Sequence, residues 1–290
     1  MKYAVYVMLA GCLWGTVSVF INLLGTAGFT SMQCVALRSV LTAVILFVYL
    51  LITDRKKLQI QVRHIPCFIG MGVLSVVFFN FCYFRCIALM GGAAVPALLL
   101  YTAPVIVMIL SAICFKEKIT RRKVIAIVLA LAGLSVVTGA FTGGETVSAA
   151  AVLYGLGAAF GYALYSIFGK FVVGKYDPVA IIFYTFLVAS AASLPISGLT
   201  GSLSLLQDPS VLLPLAGLVL ICTVAPYLFY TKGLSGIEAG KASVLATVEP
   251  VAAAIVGIAF FHESITISKI LGMILVLASV ISLNIGTQKN

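Results

Sequence analysis

Polar residues interrupt this chain only at short intervals. Between them run apolar stretches of about 20 residues, the length an α-helix needs to cross a bilayer. Ten such runs can be marked, at roughly 3–24, 32–53, 65–89, 93–115, 124–141, 148–169, 178–198, 211–231, 239–260 and 268–286. The gaps leave no room for a separate soluble domain. The apolar fraction is 62% over 290 residues, more than the core of a soluble chain of that length can hide. The fold class to expect is an all-α integral membrane protein with ten transmembrane helices.

A formal charge of +10 would suit a nucleic-acid partner, but the placement of the charges excludes one. Counting spans from a cytoplasmic N-terminus, one side carries Lys2, Arg55, Lys56, Lys57, Arg63, Lys116, Lys118, Arg121, Arg122, Lys123, Lys170, Lys175, Lys232, Lys241 and Lys289. The other carries Lys269 alone, and Arg38 and Arg85 lie within spans. That asymmetry is the positive-inside rule. It puts both termini in the cytoplasm of a cell-membrane protein, with anionic lipid headgroups as the partner of the basic loops.

The stretch LAGC at residues 9–12 resembles a lipoprotein cleavage site. The apolar run continues past Cys12 to Leu24, so the better reading is a small-residue patch in a first membrane helix. The seven cysteines are scattered, nearly all in spans. Cys82 and Cys86 share a helix face with no His or carboxylate beside them, which predicts buried free thiols and no metal.

Sliding the chain by 146 residues aligns PVIVMILSAICFKEKITRRKVIAIVLALA from Pro104 with PVAAAIVGIAFFHESITISKILGMILVLA from Pro250, without a gap. The same shift sets Gly11 and Gly15 on Gly157 and Gly161. The chain therefore reads as two homologous halves, 1–141 and 148–290. Each has five spans, an odd number, so the second half must enter the membrane inverted. Inverted repeats are a recurring transporter plan, in which two halves rock about a central site. Glycines four apart make a flat helix stripe; their occurrence in both halves predicts close contact of spans one and six.

Span two reads ALRSVLTAVIL. Span three ends NFCYFRCIAL, followed by GGAAVPALLLYTAP and KEKIT; the second half ends VEP, HESIT and LG in order. In this order the chain resembles the drug/metabolite transporter superfamily, specifically its ten-helix EamA-type exporters, over nearly its whole length. The resemblance implies two five-helix repeats around a central cavity, with spans five and ten more peripheral, and export of amino acids or other small metabolites. The first half has Ala103 where the second has Glu249, so no symmetric carboxylate pair exists.

Glu249 lies about ten residues into span nine, near the midplane at ~1.5 Å per residue. Ala242, Ala246, Ala253 and Gly257 flank it, and Pro250 removes an amide donor and invites a bend. Glu249 can be ionised and paired with Arg38, protonated in an apolar cavity, or hydrogen-bonded to a bent neighbour. Burial without a partner suits a proton-coupled exporter; a clamp between helices is the competing reading. Cys34, Arg38 and Thr42 give span two a polar face that should look inward, where Arg38 forms a structural ion pair or touches substrate. Arg85 lies near the outer end of span three and can snorkel to the interface. Trp14, Asn80, Tyr83, Tyr101, Tyr165, Tyr227 and Tyr230 are further candidates for a cavity lining or an interfacial belt. Glu117 and Glu263 each sit three residues before Thr120 or Thr266, which can cap the next helix, and read as structural.

The leading function is a secondary transporter for a small-molecule substrate, possessing no cofactor and no metal. A lipid or glycolipid flippase is the alternative; it requires a lateral opening with a polar strip. An intramembrane enzyme is disfavoured: the only His residues, His64 and His262, lie near interfaces, and no HExxH motif occurs.

Overall fold

A computed structural model describes residues 2–91, 93–138, 148–262 and 264–284. Among these the chain is all helix, with no sheet. The helical stretches are α1 (Lys2–Thr26), α2 (Ser31–Thr53), α3 (Val62–Met90), α4 (Ala94–Phe115), α5 (Arg121–Thr138), α6 (Ala149–Val172), α7 (Pro178–Ser197), α8 (Pro209–Leu234), α9 (Ala239–Phe261) and α10 (Ile267–Asn284). Eight are long and apolar enough to cross a membrane. The other two are α5, which opens on Arg121, Arg122 and Lys123, and α10, whose apolar stretch Ile267–Leu283 is shorter.

Helix starts coincide with residues that satisfy orphan amides. Thr30 and Gln33 form a reciprocal capping box before α2, with Gln33 Oε1 accepting from Thr30 N at 2.9 Å. Ser148, Asp177 and Asp208 accept from the first turns of α6, α7 and α8. Where the chain leaves α4 and α9, Lys116 and His262 both take left-handed backbone, at φ 57° and 53°. They are 146 positions apart, as are Thr120 and Thr266, which accept from the amides of Lys123 and Lys269. Glu263 lies outside the described residues.

The helices pair as α1 with α8 and α9, α6 with α3 and α4, α2 with α7 and α5 with α10, with a smaller contact of α4 with α9. Each pairing is its own counterpart, or that of another, under exchange of the halves. α5 and α10 meet at Gly133 and Gly272, where an added Cβ would stand 2.7 Å and 2.6 Å from the other glycine's carbonyl oxygen.

Several helices are interrupted. α3 widens into π geometry over Gly70–Phe78 and α8 over Leu220–Val224. α4 breaks at Tyr101 and Thr102, and α9 tightens into a 3₁₀ turn at Ala246–Val248. Pro104 and Pro250 each sit in the first turn of the segment that follows, where a missing N–H costs nothing.

The glycine stripes correct one expectation. Gly11 and Gly15 pack against α9, not α6: a Cβ on Gly11 would stand 2.8 Å from Ala246 O, and one on Gly15 2.8 Å from Glu249 O. Gly157 and Gly161 face α3 instead, at Cys82 Sγ and Leu74 O. The physical reason is the interruptions. Each stripe faces a neighbour at or beside an irregular turn, where its flat surface admits the other backbone. α1 and α6 meet only through side chains at this level, with the rings of Trp14 and Tyr162 edge to face at 6.2 Å.

Candidate functional site

A cavity of about 460 Å³ lies at the centre of the bundle. It runs from Tyr165, Ser166 and Tyr230 at mid-depth to Ile21, Ala93, Val137 and Lys269 near the helix ends on the face opposite the basic loops. Every residue singled out above as a candidate lines it except Arg85. Arg85 is exposed on α3; its long stem carries the charge outward rather than into the bundle, which removes it from the set.

Glu249 is the first residue of the helical segment that resumes after the 3₁₀ turn of α9. Its Oε2 accepts a hydrogen bond from the Tyr162 hydroxyl at 3.3 Å, and Tyr101 lies beside the same carboxylate. The small residues around it serve α1, whose Gly15 sits against Ala252 and Ala253. Ala253 and Ala254 also line the cavity, so the same small face admits a helix and leaves space. Among the described residues no ion pair joins Glu249 to Arg38, which removes the paired alternative.

Arg38 is only 7% exposed. Its Nη2 donates to Asn80 Oδ1 at 3.3 Å. Asn80 in turn donates Nδ2 to Val76 O at 2.7 Å, a bond that sets which way the amide faces. Arg38 Nε and Thr42 Oγ1, one turn along the same face, are buried without a partner among the described residues.

Aromatic rings close the cavity toward the basic face. Trp14 stands against Tyr227 at 5.3 Å and Tyr230 at 5.4 Å, and Tyr165 meets Tyr227 at 5.0 Å. Two of the hydroxyls are tied down, that of Tyr230 with Ser166 at 2.7 Å and that of Tyr165 with Thr231 at 2.9 Å. Tyr162 and Ser166 were missed from sequence. The pattern Tyr162, Tyr165, Ser166 at helical spacing held the signal, but Tyr162 sits beside Gly161 in a stretch that reads as packing.

Beyond this floor, α4 and α9 are fastened together. Glu117 Oε1 accepts from Ala239 N at 2.8 Å and Oε2 from Gly240 N at 3.1 Å, so its carboxylate caps the start of α9 from the loop between α4 and α5. Lys123 Nζ lies 2.7 Å from Glu238 and 3.7 Å from Glu117. Lys170 Nζ donates to Leu234 O and Ile237 O at the end of α8. In the basic loops, Lys57 pairs with Asp177 at 2.9 Å, which raises the Lys57 ammonium above its ordinary value. Among the described residues there is no cluster of His, Cys, Asp and Glu that could hold a metal.

The EamA-like transporter family matches residues 1–139 and again 149–285. The chain belongs to this family. An uncharacterized transporter of Archaeoglobus fulgidus is 30% identical over 191 residues, covering 65% of this chain and 66% of that protein. The uncharacterized transporter YwfM of Bacillus subtilis is 24% identical over 289 residues, covering 99% of this chain and 95% of its own. A solved crystal structure superposes with a TM-score of 0.80 at 18% identity, covering 98% of this chain and 96% of that one, and shares the fold. This EamA-family member is a multi-pass membrane transporter.

Proposed function

We propose that this protein is a secondary active transporter of the cell membrane that exports amino acids or other small metabolites by alternating access. In this reading ten helices cross the bilayer as two inverted halves, 1–141 and 148–290, with both termini in the cytoplasm. The observation that carries it is the asymmetric cavity. It reaches the face opposite the basic loops, while the basic face is closed by the aromatic floor and by Glu117 on the start of α9. With the basic loops cytoplasmic, this is an outward-facing arrangement. The matched geometry of Lys116 with His262 and Thr120 with Thr266 supports halves that exchange roles. Glu249, at the level where both halves meet, is the coupling group, giving up and taking back a proton as access alternates.

Counterflow in proteoliposomes against a panel of radiolabelled amino acids tests the transport reading. Accumulation of at least one label against preloaded substrate is expected; none across the panel, with correctly inserted protein, overturns the amino-acid assignment. Single-cysteine labelling from outside in a cysteine-free background tests the orientation. Position 145 should react and position 56 should not; the reverse pattern rejects the inverted arrangement.

A further inference from the structure

We propose that Arg38 is the receptor for the anionic end of the transported solute, a carboxylate on a small molecule with an apolar remainder. This rests on the cavity being the transport site. Arg38 is more than nine-tenths buried and lines the cavity. A guanidinium has five N–H donors. Among the described residues one bond is made, to the neutral amide of Asn80, and Nε has no partner. A structural arginine at this depth requires a counter-charge, because removing one charge from water without another is strongly unfavourable. Glu249 is the one acid the sequence places inside a span, and it bonds to Tyr162 instead.

Asn80 behaves as a positioning residue. Its amide is anchored to Val76 O and presents only its oxygen to Arg38. It orients the guanidinium without neutralising it, leaving donors for the two oxygens of a carboxylate. Trp14, Phe79, Tyr227 and Tyr230 supply the apolar wall for the rest of the molecule. Lys269 adds a second positive group at the mouth. A phosphate of a lipid headgroup shares the anionic chemistry, but the aromatic floor and the closed basic face suit a compact soluble carboxylate.

Trp14 is the sole tryptophan and lies in the cavity, so its fluorescence reports the site directly. In neutral detergent, iodide should quench Trp14 more strongly than caesium or acrylamide of equal concentration. L-leucine and 4-methylpentanoate should protect it, whereas leucinamide and isoamylamine should not. Arg38→Met should lose the iodide preference and weaken carboxylate protection by about tenfold or more, the scale of a charge-assisted bond; Arg38→Lys should keep the preference. If Arg38→Met does not fold, Asn80→Leu serves instead, with iodide preference retained and carboxylate protection reduced several-fold. Equal protection by acid and amide, no protection by either acid, or an unchanged Arg38→Met overturns the proposal. Protection by glycerophosphoglycerol but by neither acid transfers the site to lipid headgroups and overturns the soluble carboxylate. The reading of the cavity as a transport site fails separately: carboxylate protection without counterflow removes transport and leaves the receptor, and counterflow unchanged in Arg38→Met does the converse.

Discussion

The start of α9 and the start of α4 occupy equivalent places under the 146-residue shift and meet different fates. At α9 the amides of Ala239 and Gly240 are capped by the Glu117 carboxylate, itself 7% exposed, and Lys123 ties Glu117 to Glu238. At α4 the corresponding residues, Ala93 and Ala94, line the cavity. The chain has Gly92 where the other half has Glu238. The local folds before these ends agree closely: left-handed Lys116 and His262, capping Thr120 and Thr266, and lysines that donate to Lys118 O and Ser264 O at 3.0 Å. One architecture is thus fastened at the basic face, while at the other face the start of α4 lines the cavity. A carboxylate on two amides at a helix start, with a cation alongside, is among the more favourable polar arrangements available there, so the fastened end should govern which way the cavity opens.

Glu249 stands between the two ends, and its replacement should have the largest effect. Glu249→Gln keeps the size and most hydrogen bonds of the side chain but cannot release a proton. Flux driven by a pH gradient should fall to background in liposomes while exchange of substrate persists. Equal gradient-driven flux in wild type and Glu249→Gln ends the coupling hypothesis.

Next comes the fastening itself. Glu117→Ala removes two charge-assisted bonds, each worth about 1.5–3 kcal/mol, and should expose the basic face. A cysteine introduced at the buried Ser243 of α9 should then react with a water-soluble maleimide at least about tenfold faster. Unchanged labelling means that the floor of aromatic rings, and not Glu117, keeps that face shut.

A smaller effect distinguishes the two lysines. Lys123→Met loses the partner of Glu238 and should accelerate the same labelling a few-fold. Lys269→Met, at the opposite face, should leave it unaltered. Equal effects would mean that the asymmetry between the ends has no energetic weight.

The smallest effects should be symmetric. Thr120→Ala and Thr266→Ala each remove a cap worth about 1 kcal/mol, and should lower thermal stability by similar small amounts. A marked difference between them would show that even the shared local geometry is unequally supported.

Much of this was readable before any coordinates. Apolar run lengths predicted helices that agree with those found to within a few residues, since hydrocarbon thickness leaves little choice. Glu249 and Arg38 stood out because a charge inside an apolar run has few acceptable surroundings. Arg85 carried the same signal and lies elsewhere: a long side chain near a helix end can reach outward, and its direction depends on helix rotation. Tyr162 failed to stand out because an aromatic in an apolar helix looks like packing until its hydroxyl finds a carboxylate. The glycine stripes announced close contact but named the wrong partner, because a flat surface is complementary to any helix that offers a backbone.

The sequence by itself determined the all-helical class and the presence of ionisable groups inside apolar runs, and it led to the reading of two halves with basic loops on one side. All of these depend on composition along the chain and on the cost of exposing polar groups to lipid. Only the tertiary structure decided that Glu249 bonds to Tyr162 while Arg38 is left with Asn80, and that Glu117 caps a helix more than a hundred residues away. These are pairings between helices, set by the rotation and depth of each one in the bundle. Duplicated sequence leaves the two ends nearly equivalent, and it is packing that fastens one and opens the other.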